Sequence, residues 1–346
     1  MTSFDDFKLA VEALSGGNNT VKLDDLGMPS VVVPFPKLKY SDVITDGTQD
    51  TLPAFIVDGQ EKDVLYMSKY INIIVNDRAY SLPMKDPAAN LDFDRALTVC
   101  RNKGAGWHLT TNAFWAAVAL WCKKNGTMPR GNNNYGQDYA HTYEKDVPTY
   151  KGGDGAIYRT ATGSGPASWY HNYNMSGIAD LNGNVWEWVS GLRLNNGEIQ
   201  IIPYGNAMKA DCNMSETSTE WKAIKADGTL VNPGTAETLK YDYANNKITL
   251  STALTGQSDT LKNTNFENIA LASNVSVPNI LKALGLYPDG TGYDGDNVWI
   301  NNSGERLPFR GGLWSNSADA GVFALHLSYA RTRAYINVGF RAAFYE

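Results

Sequence analysis

Four histidines and three cysteines are the residues of this chain best suited to metal or nucleophilic chemistry, and their spacing argues against most of it. His108, His141, His171 and His326 show no HxxxH or HExxH pattern, so a zinc or iron centre would have to gather ligands from distant loops. Cys100, Cys122 and Cys212 lie too far apart for a CxxC motif or a disulfide framework and read as buried free thiols. Gly290-Thr291-Gly292-Tyr293-Asp294-Gly295 matches GxGxxG letter for letter. Dinucleotide binding needs a strand before that motif and a helix after it, whereas here a helical stretch precedes and a strand-like one follows. The acidic run Asp289 to Asp296 also misses the calcium-loop pattern, because Tyr293 stands where an oxygen ligand is required. Neither a GxxxxGK[ST] phosphate loop nor a GxSxG nucleophile elbow occurs.

Recognition chemistry is better represented. Between residues 310 and 341, Arg310, Gly311, Gly312, Trp314, Gly321, Val322, Phe323, Leu325, Leu327, Gly339 and Phe340 are what packed strands and tight turns need. Interleaved with them are Leu313, Ser315, Asn316, Asp319, His326, Ser328, Tyr329, Thr332, Arg333, Tyr335, Ile336 and Asn337, which share no chemical logic. That mixture is expected of solvent-facing positions free to change. Strand alternation sends His326 to the face opposite Leu325 and Leu327. Tyrosine and arginine offer large contacts at modest entropic cost, while serine and asparagine offer adaptable hydrogen bonds, the chemistry of antibody paratopes.

Composition agrees with a folded recognition protein. Of 346 residues, 43% are hydrophobic, 11% aromatic and only 19% charged, which argues against disorder and leaves an uncharged polar surface. The net charge of −6, without a Lys/Arg-rich run, predicts no nucleic-acid partner and no attraction to an anionic membrane. No apolar run approaches the ~20 residues of a membrane span, so no membrane insertion is expected. Met1 to Asp6 carry no basic-then-apolar pattern and no lipid-attachment cysteine, so neither an export nor a lipoprotein signal is expected.

The elements that must position these residues are readable in part. Phe93, Ala96, Leu97 and Cys100 predict a helix with Asp92 as N-cap and Gly104 past its end. A second helix is predicted from Thr110 or Thr111 to Lys124, stopped by Gly126. Long ordered loops follow, held by Trp169, Tyr170 and Tyr173. Hairpins are expected around Asn196-Gly197 and Asn245-Asn246, and strands over 297–301, 322–327 and 338–344. Residues 1–50 read as a small N-terminal arm or docking module, 51–346 as the main domain, and 192–296 as an insertion in it.

Two segments carry a family resemblance. Gly177-Ile178-Ala179-Asp180-Leu181-Asn182-Gly183-Asn184-Val185-Trp186-Glu187-Trp188-Val189 resembles the GNVWEW signature of the formylglycine-generating-enzyme family. Phe309-Arg310-Gly311-Gly312-Leu313-Trp314 and Val338-Gly339-Phe340-Arg341 are similar to its closing strands, and Leu109 to Trp115 to its LPTxxEW helix start. The resemblance spans residues 53–346 and implies an α+β, C-type-lectin-like fold. In that family Asp180 and Glu187, with carbonyls near Gly183 and Val185, would hold a structural calcium ion. The oxidases of the family hold copper with a late cysteine pair, and their relatives hold iron with histidines. Here no cysteine follows Cys212 and His326 is the one late histidine, so no catalytic cofactor is expected.

Residues 310–341 also resemble the variable region of diversity-generating-retroelement proteins. That resemblance implies a non-enzymatic, hypervariable binder, with 310–341 as its variable ligand-binding region, the mixed set above as contacts and a host cell-surface receptor or other protein or glycan as partner. By analogy with the tropism determinants of that class, a trimer on a phage tail fibre is expected. An oxidase of the formylglycine-generating type and a fixed structural tail component are the alternatives on the same fold.

Overall fold

Two N-caps and a glycine fix the principal helices. The chain, described over residues 3–346 in a computed structural model, contains α1 (Ser3–Leu14), α2 (Tyr40–Val43), α3 (Phe93–Arg101), α4 (Asn112–Asn125) and α5 (Asn279–Ala283). The first two residues of the expected N-terminal arm lie outside the described residues. Asp92 accepts a hydrogen bond from the Arg95 amide at 2.8 Å to start α3, and Thr111 Oγ1 accepts from the Phe114 amide at 3.1 Å to start α4. Gly126, left-handed at φ +67°, closes α4. Ten of its fourteen residues are buried, so this helix is a central rod rather than a surface helix with one apolar stripe.

Among the described residues most strands fall in two large sheets. The smaller orders Thr20–Leu23, Pro29–Pro36, Val64–Ser68, Ala342–Phe344 and Trp107–Leu109, so the two ends of the chain share one sheet. Residues 20–36 are therefore part of this sheet rather than of a detached arm. Pro29–Pro36 pairs with Thr20–Leu23 on one side and Val64–Ser68 on the other, and its Val32 and Phe35 are buried in the core. The larger sheet has thirteen strands. Within it Gly321–Tyr329 pairs in parallel with Asn297–Ile300 and antiparallel with Glu305–Gly311. The 192–296 segment extends this sheet: Leu192–Asn195 joins Glu305–Gly311, and Leu194, Ile199, Tyr241 and Leu250 share a core with Phe114 and Val118 of α4.

Both predicted hairpins form, with Asn196-Gly197 at φ +48° and +76° and Asn245-Asn246 at +52° and +60°. Two left-handed residues match the right-handed twist of the flanking strands. Trp169 and Tyr170 are buried and hold the central loops as expected, and Tyr173, though exposed, donates its hydroxyl to the Met128 carbonyl at 2.8 Å.

Candidate functional site

Arg310 and Arg341 fasten the site to the core. Arg310 is fully buried without a carboxylate partner; its guanidinium donates to Asn112 Oδ1 at 3.0 and 2.7 Å and to the carbonyls of Leu284, Gly285 and Phe323. Burial draws its pKa down to about 9. Arg341 meets both oxygens of Glu187, at 3.0 and 2.8 Å, and donates to the carbonyls of Ser68, Lys69 and Ala179. After Arg310 the chain turns through Gly311 and Gly312, at φ +93° and +92°, a conformation glycine adopts without strain. Trp314 then packs face to face on Tyr158, 4.7 Å between ring centres.

On the strand Gly321–Tyr329, Leu325 and Leu327 enter the core beside α4 while His326 points the other way, as alternation requires. The expectation of a solvent-facing His326 is corrected, since only 6% of it is exposed. Cross-strand registry explains this: Trp299 lies beside His326 on the parallel neighbour and Phe309 on the antiparallel one. Trp299 stacks on His326 at 5.4 Å and 9°, His326 on Tyr329 at 4.8 Å and 22°, and the Trp186 edge meets both Trp299 and His326. Burial holds the imidazole down to about 3, so it is neutral at physiological pH. Its Nδ1 lies 3.1 Å from Ser328 Oγ.

This aromatic floor closes a cavity of about 110 Å³. Six of the predicted residues line it: Leu313, Asn316, His326, Tyr329, Arg333 and Asn337. Trp186, Trp299, Phe309 and Val338 complete it and were not singled out from the sequence as contacts. Trp186 belongs to the GNVWEW motif and Phe309 to the Phe309–Trp314 segment, but Trp299 becomes visible only through strand pairing.

The remaining predicted contacts surround the cavity. Thr332, Tyr335 and Ile336 are exposed on the 330–337 loop, and Ile336 also faces a neighbouring groove beside Ile73, Ile74 and Tyr150. Ser315 is exposed and Asp319 half-buried on the 313–320 turn, outside the cavity lining, and burial raises the Asp319 carboxyl. Asn316 has a second task, because its Oδ1 accepts from the Leu313 amide at 2.9 Å and shapes that turn.

Backbone atoms pin the 330–337 loop. The carbonyls of Arg331, Tyr335, Ile336 and Asn337 accept from the Phe93 amide, the Asn90 amide, Arg159 Nη1 and the Trp186 amide, at 3.0, 2.8, 3.1 and 2.9 Å. The Arg331 side chain adds a paired contact to Glu305, at 2.9 and 3.0 Å, and one to Asp94 at 3.0 Å. None of these bonds uses the side chain of 332, 333, 335, 336 or 337.

Asp180 and Glu187 do not come together as a calcium site. Both Glu187 oxygens are taken by Arg341, and Asp180 Oδ2 accepts from the Gly163 amide at 2.8 Å. A cation would have to displace a buried guanidinium, so these donors as arranged do not fit the ion. Among the described residues no group of three or more His, Cys, Asp or Glu could hold a metal. Cys100, Cys122 and Cys212 are free and buried, as read from their spacing, and burial pushes the Cys212 thiol up to about 12. No helix among the described residues is long and apolar enough to cross a membrane.

A mixed helix-and-sheet domain closed by the Glu187–Arg341 pair, with long ordered loops around one aromatic cavity, has the C-type-lectin-like fold. Residues 45–230, more than half of the chain, match the sulfatase-modifying factor enzyme 1-like domain, and the chain belongs to that family. No curated protein matches it. Solved structures similar to it include Treponema denticola variable protein 1, at 12% identity over 95% of this chain and 99% of that one with a TM-score of 0.37. PvdO from Pseudomonas aeruginosa is 14% identical over 94% of this chain and 98% of its own, at 0.40. The Major Tropism Determinant U1 variant is 9% identical over 94% and 71%, at 0.31.

Proposed function

We propose that this protein is a non-enzymatic, retroelement-diversified ligand-binding protein whose contact face is the surface from Leu313 to Asn337. The observation that carries the reading is the division of labour in the 330–337 loop: its path is set by backbone carbonyls and Arg331, so the neighbouring side chains can change without moving it. In residues 310–329 Arg310, Trp314, Val322, Phe323, Leu325 and Leu327 are buried as scaffold, while Asn316 and His326 combine a place in the contact set with a structural task. The resemblance of 310–341 to retroelement variable regions supports it. Thiols buried singly and kept protonated are poor copper ligands, which favours binding over oxidase chemistry.

The proposal extends to a virion, with the domain carried on a phage tail fibre as a trimer, recognising a host cell-surface receptor. Several weak sites on one particle would gain avidity through effective concentration.

Deep sequencing of the 3′ end of the gene across a population, with its flanking DNA, tests the reading. Substitutions are expected at the codons for Leu313, Ser315, Asn316, Asp319, His326, Ser328, Tyr329, Thr332, Arg333, Tyr335, Ile336 and Asn337, with a nearby near-copy differing at adenines. If those codons are as invariant as those for Gly311 and Trp314 and no near-copy exists, the domain has one fixed specificity or a structural role.

A further inference from the structure

Stacking on the contact face does not end at Tyr329. The Arg333 guanidinium carbon lies 4.2 Å from the Tyr329 ring centre and 3.3 Å from that of Tyr335, so Trp299, His326, Tyr329, Arg333 and Tyr335 form one continuous column. The guanidinium thus lies against two rings, and these contacts restrict where its N–H groups can point. Among the described residues every other arginine donates a side-chain hydrogen bond, from Arg78 at the rim to Arg341 in the core, yet no acceptor meets the Arg333 side chain. The residues that line the cavity beside it include no carboxylate, and Asn316 and Asn337 are among them. A preorganised fork of donors without an anion is complementary to the two oxygens of a carboxylate.

Size and polarity narrow the class of ligand. A cavity of about 110 Å³ has room for one apolar side chain, and a larger ligand would lie mostly across the surrounding loops. Trp186, Trp299 and Phe309 give that space an apolar floor.

We infer that this form of the protein takes an acidic protein segment: a carboxylate of Asp, Glu or a chain terminus on Arg333, with an adjacent apolar side chain in the aromatic cavity. The inference rests on the proposed contact face and specifies its chemistry. Because residue 333 is one of the changeable positions, the preference for acid belongs to this sequence and is lost in siblings with another residue there.

The test uses the full chain on an array of 12-residue peptides that pair Asp or Glu with Leu, Met or Phe, beside their Asn and Gln counterparts and a panel of sialylated and uronic-acid glycans. Retention by the acid-bearing peptides is expected, falling as salt rises. Arg333→Ala should weaken it about tenfold to hundredfold at an unchanged melting temperature, the range for losing a hydrogen bond to a charged group. Arg333→Lys, which keeps the charge but loses the fork, should also weaken it. Equal retention by the amide peptides, retention by the acidic glycans alone, no retention by any probe, or indifference to Arg333→Ala would each overturn the inference. The gene-population experiment judges the contact face separately, so a variable gene with an acid-indifferent protein rejects only this step.

Discussion

His326 carries the histidine-dependent acid response at the site. Its folded pKa, held down to about 3 by burial, lies below the ordinary 6.5, so the unfolded chain takes up a proton first as pH falls. Its contribution to stability is therefore present above pH 6.5 and is lost as pH falls toward 3. His108 and His171, each drawn down to about 4 by burial, act in the same direction. Buried carboxyls act oppositely: burial pushes Asp146 up to about 8 and Asp180 up to about 6, so their contribution is present below 3.8 and lost as pH rises through those values, and burial raises Asp296 and Glu187 as well. The wild-type profile is thus a balance, and a single substitution isolates the imidazole. His326→Phe keeps a ring in the column but removes the titration. Its urea-unfolding free energy relative to wild type is expected to rise steadily from pH 7 to pH 4, and a pH-independent difference would contradict the assignment.

At the scale of elements, glycines at turns separate backbone strain from crowding. Gly126 ends α4 at φ +67° with nothing within 4 Å of where a Cβ would stand, so Gly126→Ala should cost only the left-handed penalty, about 1 kcal/mol. Gly197 has the same kind of backbone at φ +76°, but an added Cβ would meet Leu254 Cδ1 at 2.9 Å and Asn302 Cβ at 3.3 Å. Gly197→Ala should therefore destabilise by about 2 kcal/mol or more, and urea midpoints should rank it below Gly126→Ala. The reverse order would mean that the 195–198 turn relaxes more readily than its sheet neighbours allow. Both glycines announce themselves in the sequence, one after a lysine-ended helix and one after an asparagine between strands. The neighbours that make the second more costly come from residues 254 and 302 and leave no local trace.

For the whole molecule, the decisive feature is a sheet built from both ends of the chain. Pro29–Pro36 lies between Thr20–Leu23 and Val64–Ser68, and Val64–Ser68 in turn pairs with Ala342–Phe344. Removing residues 1–36 would leave the Val64–Ser68 edge bare and take Val33 and Phe35 out of the core. Such a truncation is expected to be insoluble or to lose its cooperative unfolding transition. A soluble, sharply melting 37–346 fragment would instead establish the N-terminal strands as a dispensable arm.

Sequence by itself determined whatever depends on neighbours a few residues apart. Asp92, Thr111 and Gly126 bound their helices, Asn196-Gly197 and Asn245-Asn246 turn their hairpins, and the alternation of Leu325, His326 and Leu327 assigns opposite faces. The GNVWEW segment lies within the residues that match the family to which the chain belongs. Tertiary structure decided the rest, because strand register and buried partners join residues far apart in the chain. Glu187 finds Arg341 rather than a calcium ion, His326 is walled in by Trp299 and Phe309, and Arg331 ties the contact loop to Glu305. A face pattern states that a side chain leaves the core, but only the pairing of distant strands decides whether it then meets water or three aromatic rings.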